Sequence, residues 1–485
     1  MLRPAKLTKI YCIFPKKFTW SVLSKLQDIG ILHISRSKPT NGFKPMPMPD
    51  GKYDKLVELL GATNYLIKLI ESRTFKPFVT SLFGPRYIYI AYEMEFNIKK
   101  IEKTLKNLRK KYKKLKYEKM AINMSDYNQL LLYRDLLSDK IEQYKALQLF
   151  SESKYLIRFD GWVESDKVHR VKNAVEITTK KACVFNVSKK RLENPPTLLK
   201  NPSLVKPFEI FIENYGMPGY REIDPTPIIA FTFTFIFGLM FADVGYGLSL
   251  FLLSLSVYLM TTKESNFRKN LNLMLIYLGL ASMLMGFFFG EFFGLQFRKG
   301  AIDPVSDLFM FFMISILVGL IHTSVALLTR MLVNIKDKKD VLFAISMLFV
   351  MWSAFSLYYI RDILLNKILL VIGILLLFAS KKFGLFKEIA SLFAGMFSYL
   401  RIAILGFGHV IINRLLISSY HNLSGSLLEL GLFIILFVTG SSIVLTLGLF
   451  MTILQDVRLH WVEFFPKFFV GKGIKFQPFK RRIAV

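Results

Sequence analysis

The chain has 485 residues, of which 53% belong to the hydrophobic set and only 21% are charged, with a formal net charge of +30. That is too apolar and too unevenly patterned for an ordinary soluble protein of this length. The excess charge does not define a nucleic-acid binder. Much of it is lysine in the first half, and the rest lies in short loops between apolar runs, as expected on a cytoplasmic face beside anionic lipid. Two cysteines, Cys12 and Cys183, supply neither a metal framework nor a disulfide scaffold.

The N-terminal stretch MLRPAKLTKIYCIFPKK has no apolar core long enough for a signal peptide, so the first half is expected to stay cytoplasmic. Residues 1–222 contain no plausible membrane span. TKIYCIF and ILHISR predict short strands, with a helix over FTWSVLSKLQDIG between them closed by Gly30. A helical stretch near 53–72 comes next. In EFNIKKIEKTLKNLRKKYKKLKYEKM, Ile98, Ile101, Leu105 and Leu108 recur at helical intervals, and the remaining surface is almost all Lys or Glu. After a break at AINMSDYNQ, where Asn123 or Ser125 could cap a new helix, a second striped segment runs to about 149. The pair predicts an antiparallel helical hairpin over about 93–149, its lysines read first as a solvated face. KYLIRFDGWVE, DKVHRVKNAVEI and ACVFNVSK then read strand, helix, strand. The hairpin is therefore expected to separate two α/β lobes, at about 1–90 and 152–200. No Gly-rich phosphate loop follows a strand and no metal-ligand or nucleophile cluster is apparent, so no cofactor is expected.

From Pro225 onward there are eight candidate spans, at roughly 226–241, 245–262, 271–292, 306–332, 341–360, 364–380, 388–418 and 426–457. If the soluble half is cytoplasmic, the loops after spans two, four and six should be rich in positive charge. They hold Lys263, Arg268 and Lys269, then Lys336, Lys338 and Lys339, then Lys381, Lys382 and Lys387. The opposite loops are poorer, with Arg298 and Lys299 in one and Arg361 and Lys367 in another, while HNLSGSL has neither Lys nor Arg. The expected fold class is a polytopic α-helical membrane protein of about eight spans. It carries an N-terminal cytoplasmic α/β domain at 1–222, a transmembrane domain at 223–465 and a basic cytoplasmic tail at 466–485.

Ionisable residues remain in or near the spans: Asp243, Glu291, His322, Arg330, Glu388, Arg401, His409, Arg414, Glu429, Asp456 and Arg458. Arg330, Glu388 and Arg458 are placed where a side chain can snorkel to an interface, and Asp243 falls in a turn. Arg401 has no such escape. An arginine at the bilayer centre costs at least ~2.5–3.5 kcal/mol, and it stays charged. It reads either as half of a structural ion pair with Glu429 or Glu291, or as an electrostatic element beside an ion path. His409 lies about 12 Å further along the helix and reads equally as a channel-side group or a packed histidine. Gln455 and Arg458, three apart, share one face of the last span. A titratable acid at midplane is missing unless Glu291 or Glu429 supplies it, or another protein does.

These residues sit in long motifs: ENPPTLLKNPSLVKPFEIFIENYGMPGYREIDPTPIIAFTFTFIFGLMFADVGYG, FSYLRIAILGFGH and VRLHWVEFFPKFFVGKGIKFQPF. In that order, over residues 193–480, the chain resembles the large membrane subunit of rotary V-type and archaeal A-type ATPases, called subunit a or subunit I. The N-terminal half adds GWV at 161–163 and the α/β–hairpin–α/β layout, in a domain shorter than is usual there. The resemblance implies a stator that is not itself an enzyme and holds two offset aqueous half-channels against a rotating ring, which carries the titratable acid. It places the family's essential arginine on Arg401, its histidine on His409, its last-span arginine on Arg458 and its glutamine on Gln455. Asp243 takes the acidic position of a GDxGHG-like motif, here ADVGYG. The glutamate common ten residues before the last-span arginine is absent: Gly448 stands there, and Glu429, elsewhere in the same span, is the candidate to replace it.

Implied partners are the proteolipid c/K ring, peripheral stalk subunits of E/G or E/H type, the central-stalk socket subunit of d/C type, membrane lipid, and the transported H⁺ or Na⁺. Nucleic acid is not among them. The implied location is the cell membrane of an archaeon or bacterium, with the N-terminal domain and C-terminus on the cytoplasmic side. The competing readings are an autonomous secondary transporter, which needs internal repeats that the sequence does not show, and a scaffold that has lost translocation.

Overall fold

The computed structural model describes residues 4–37, 42–47, 51–71, 98–114, 124–188, 195–220, 222–261, 266–297, 303–359, 364–380, 385–418 and 427–482. The expected hairpin turn with Asn123 and the loop charges Lys263, Arg298, Lys299, Arg361, Lys381 and Lys382 lie outside them. So does the HNLSGSL loop, along with the side chains of Ser125, Lys387 and Glu388. The chain divides into two compact units, Ala5–Leu198 with Ile474–Val485, and Leu199–Gly473 with Met1–Pro4.

In the first unit, β1 (Leu7–Pro15) buries Ile10, Cys12 and Phe14, the period-two pattern of a half-buried strand. α1 (Thr19–Ile29) buries Val22, Leu23 and Leu26 on one face. It ends at Gly30, whose φ of 65° provides the left-handed cap that a side chain would resist. β2 (Leu32–Ser35) and β3 (Lys44–Pro45) come next. Then come α2 (Lys52–Glu71), α3 (Ile98–Lys114) and α4 (Met124–Leu147), which share a core that includes Leu56, Leu66, Ile101, Leu105, Leu130 and Leu137. β4 (Ser151–Glu152), β5 (Leu156–Glu164), α5 (Val168–Thr178) and β6 (Val184–Val187) complete the unit.

Strands from both sides of the helical insertion join one antiparallel sheet. β5 aligns with β1 through Phe159 and Cys12 and with β2 through Val163 and Leu32, while β1 aligns with β6 through Ile13 and Val184. The order β2-β5-β1-β6, with α1 and α5 as crossovers, is the ferredoxin-like β-α-β-β-α-β arrangement. The segments expected as separate lobes are therefore halves of one sheet. The C-terminal residues also fold into this unit: Phe479 N–H donates to Leu32 O at 2.8 Å and Arg482 N–H to Asp139 Oδ1 at 2.9 Å. Arg481 pairs with Asp28 at 2.5 Å.

The second unit is helical. α6 (Glu209–Tyr215) leads through Asp224, which accepts the Thr226 N–H at 2.9 Å, into α7 (Thr226–Met240). α8 (Val244–Met260) and α9 (Asn266–Phe289) form a tight pair. At Gly247 the backbones touch: a Cβ there would stand 2.7 Å from Met283 N and 2.9 Å from Gly279 O. Small residues allow such approach where lipid offers no hydrophobic drive between helices. A short hairpin, β7 (Glu291–Phe292) and β8 (Leu295–Gln296), precedes α10 (Leu308–Val333), α11 (Lys338–Tyr359) and α12 (Leu364–Ser380).

The span expected at 388–418 is two helices, α13 (Leu385–Ser398) and α14 (Leu400–Ser418), meeting at the fully buried Tyr399. The Tyr399 N–H donates to Met396 O at 3.1 Å and the Ile402 N–H to Tyr399 O at 2.9 Å, so the joint is a tightened i→i+3 turn. α15 (Leu427–Arg458) passes directly into a π-helical turn, Leu459–Phe464.

Five stretches are long and apolar enough to cross a membrane: Phe267–Phe289, Leu308–Val333, Lys338–Leu357, Phe393–Ser418 and Leu428–Lys467. α7, α8 and α12 are shorter apolar helices of 15, 17 and 17 residues. The protein is a polytopic helical membrane protein with an N-terminal β-sheet domain.

Candidate functional site

Arg401 is the second residue of α14, one turn beyond Ser398, whose Oγ meets its Nη2 at a long 3.4 Å. Its Nη1 is buried with no hydrogen-bond partner among the described residues. α14 and α15 run antiparallel, since a Cβ on Gly448 would approach His409 and one on Gly440 would approach Leu416. That brings the last residue of α15, Arg458, to the Arg401 end. Among the described residues, Arg458 and Glu463 lie within electrostatic reach of Arg401. Gln455 lies one turn before Arg458, with its Oε1 buried and unpartnered. Arg401, Gln455 and Arg458 therefore lie at the same end of the α14–α15 pair, where the Arg401 Nη1 donor and the Gln455 Oε1 acceptor have no partner among the described residues.

The face of α15 that carries Arg458 is bare. Its most apolar stretch contributes no buried residue, and Leu447, Phe450, Met451 and Leu454 are exposed.

Behind the arginines lies a buried polar cluster. His460 Nδ1 faces the Asp456 carbonyl at 2.9 Å and so carries its hydrogen, while Nε2 meets Thr232 Oγ1 at 2.9 Å. His322 Nδ1 meets the Tyr399 hydroxyl at 2.8 Å, and the two imidazole rings lie 4.8 Å apart. These contacts bind α7, α10 and the α13–α14 joint to the end of α15. The sequence places His322 and Asp456 among the intramembrane ionisable groups but gives no partner for either. The i,i+4 spacing of Asp456 and His460 was the available signal.

Towards the other end of α14, His409 is buried between the rings of Phe241, at 4.3 Å, and Tyr246, at 5.4 Å. Its Nε2 meets Asn413 Nδ2 at 3.1 Å. A Cβ on Gly448 would stand 2.9 Å from Phe241 Cε2 and 3.6 Å from His409 Nδ1. The place where the family resemblance implies an acid is thus occupied by an aromatic ring.

Further along, Arg414 binds Glu291 through Nε at 3.1 Å and through Nη2, and binds Asp303 Oδ1 at 2.7 Å. Glu291 serves this triad about 20 Å along α14 from Arg401. Glu429 stands in the first turn of α15, with Arg458 as its last residue, so the length of the helix, roughly 45 Å, separates them. Neither acid is brought to Arg401. Asp243 caps α8: its Oδ1 accepts the N–H groups of Gly245 at 2.8 Å, Tyr246 at 3.0 Å and Phe293 at 3.0 Å, and its Oδ2 accepts that of Gly294 at 3.2 Å.

A cavity of about 160 Å³ opens beside the π-helical turn, lined by Arg330, Ser391, Glu463 and Lys467 among apolar side chains. It is roomy and polar enough for several waters. Among the described residues no group of three His, Cys, Asp or Glu side chains is placed to hold a metal ion.

A helical unit with long apolar spans, joined in sequence to a ferredoxin-like sheet unit, defines a class: a polytopic integral membrane protein. The family model described as the V-type ATPase 116kDa subunit family matches residues 86–299 and 396–481, more than half of the chain, and the chain belongs to that family. It is 29% identical over 394 residues to the A-type ATP synthase subunit I of Pyrococcus horikoshii, covering 74% of this chain and 59% of that protein. It is 27% identical over 379 residues to the subunit I of Methanothermobacter thermautotrophicus, covering 74% and 57%. With the subunit I of Pyrococcus abyssi it shares 27% identity over 432 residues, covering 80% and 63%. The chain thus spans less than two thirds of the length of these relatives.

Proposed function

We propose that the protein is the membrane stator subunit of a rotary ATPase of the V/A type, carrying H⁺ or Na⁺ between two half-channels and a rotating proteolipid ring. The observation that carries this reading is the presence of Arg401, Gln455 and Arg458 at the same end of the α14–α15 pair, beside the uncovered face of α15. A buried guanidinium group with an unused donor attracts an anionic partner, and no described carboxylate hydrogen-bonds to it. A ring carboxylate passing Arg401 is held ionised, so its ion leaves, and the permanent positive charge blocks a direct leak. The cavity at Glu463 serves as a water-filled approach from the cytoplasmic side. His409, Asn413 and the Arg414–Glu291–Asp303 triad line the opposite approach, without the acid that Gly448 replaces. Asp243 holds the α8 start in place.

The eight apolar spans, counting α13 and α14 as one, return the C-terminus to the cytoplasmic side. The sheet unit, with α3 and α4 as a helical hairpin, acts as the arm that meets the peripheral stalks and resists torque, and ATP turnover belongs to other subunits. Replacement of Arg401 by Ala in the assembled complex tests the reading. ATP-driven ion uptake into vesicles should fall to background with assembly retained, and near-normal uptake would refute it. Saturable transport by the purified chain alone in liposomes would favour an autonomous transporter instead.

A further inference from the structure

Arg401 reaches back to Ser398 of α13, and Glu463 approaches the same helix one turn earlier, at Gly395, with Arg458 and Glu463 both within electrostatic reach of Arg401. Three features seat that carboxylate. The chain leaves α-helical geometry at the π-helical turn Leu459–Phe464, which carries Glu463. Such a turn inserts a residue and rotates the downstream chain by roughly 100°. Opposite it, α13 has a glycine: a Cβ on Gly395 would stand 3.2 Å from Glu463 Oε2, so the notch accommodates the carboxylate. The side chain is half-buried and faces the cavity beside Arg330 and Lys467, in reach of water.

We propose that Glu463 is the resident counter-charge of Arg401, a positioning residue that sets how tightly the arginine holds the carboxylate passing opposite it. The inference rests on the stator reading above. With Glu463 in place, its negative charge offsets part of the positive charge of Arg401 and Arg458, and the net field at the ring carboxylate is moderated. Without it both arginines act unopposed, the ring carboxylate holds its ion less tightly, and reloading requires a higher ion concentration. Arg330, paired with Asp340 at 3.1 Å, and Lys467 also face the cavity. Tyr399 lies within electrostatic reach of Glu463 and of Asp456, and beyond it are His322 and His460. All of these are unchanged by the substitution, so the shift reports Glu463.

The test is Glu463→Gln, which keeps shape and removes charge, in the assembled complex. ATP-driven uptake is measured across a range of pH and of Na⁺ concentration. The half-saturating ion concentration should rise about tenfold, which is about one pH unit towards acid if the ion is H⁺, with maximal uptake retained. Glu463→Asp, which keeps the charge, should restore the wild-type profile. A Glu463→Gln profile that superimposes on wild type overturns the proposal. So does a loss that is equal at every ion concentration and is shared by Glu463→Asp, because that outcome assigns the side chain to packing alone. Arg401→Ala separates the two levels of the argument. If it transports, the stator reading falls. If it is inactive while Glu463→Gln is unshifted, only the counter-charge falls.

Discussion

Replacing Asp243 distinguishes a structural acid from an ion-carrying one. Its carboxylate accepts four backbone N–H groups, two from the first turn of α8 and two from Phe293 and Gly294 of the β7–β8 turn. That turn is strained: Phe293 has a φ of 49°, a left-handed conformation that side chains rarely adopt. Asp243→Ala removes a helix cap worth about 1 kcal/mol and strands two further buried donors at about 1–3 kcal/mol each. Water entry and relaxation reduce the sum, so the expected loss is about 3–5 kcal/mol. Asp243→Asn keeps the Oδ1 acceptor and forfeits the Gly294 bond, for an expected loss of about 1–2 kcal/mol. The assay is equilibrium unfolding of the full chain in mixed micelles, paired with ATP-driven uptake by the assembled complex. Asp243→Asn should transport. The reasoning is refuted if Asp243→Ala unfolds within about 1 kcal/mol of wild type. It is equally refuted if Asp243→Asn folds normally and does not transport.

Two further predictions concern stability. Burial pushes the Asp139 carboxyl up to about 6 from an ordinary 3.8. The folded sheet unit thus binds a proton that the unfolded chain has released, and the contribution is lost as pH rises from about 4 through 6. Asp139→Asn should be neutral at low pH and stabilising by about 1 kcal/mol above pH ~6.5, after allowance for solvent screening, seen as slower hydrogen exchange across residues 474–482. Gly448→Glu, which introduces the acid that the family resemblance implies, should destabilise the helical unit by about 1–3 kcal/mol because its Cβ overlaps Phe241. Unfolding in the same micelles checks this, and a neutral result would show that Phe241 moves freely.

The helices were legible because their signals are local. The Ile98–Leu108 stripe, the Gly30 cap and the apolar runs each declare a helix or its end within a few residues. Long-range pairing is not local, which is why one sheet read as two lobes: Cys12 meets Phe159 across an insertion that has its own core. The C-terminal segment read as a basic tail for the same reason, since its docking depends on Leu32, Asp28 and Asp139, far away in sequence. The joint at Tyr399 left no trace in composition either, because Ser398, Tyr399 and Leu400 all tolerate helical geometry.

Charge was legible in a different sense. Sequence shows that an intramembrane arginine is expensive, but not which groups answer it. Glu291 and Glu429 were reasonable candidates by span position, yet helix direction removes both: α14 and α15 are antiparallel, so an acid in the first turn of α15 is farthest from the start of α14. The same antiparallel pairing makes Gly448 intelligible. It brings residue 448 to His409, where Phe241 fills the space of the absent side chain. An acid there would need Phe241 to leave, and Phe241 lies in the cluster that also holds Phe233, Phe237, Tyr246 and Phe464. The missing side chain at 448 and the aromatic wall are thus one packing solution. The polarity of that end is left to His409, Asn413 and the Arg414–Glu291 pair on the flanks of α14, which is where substitutions should be aimed to trace a path.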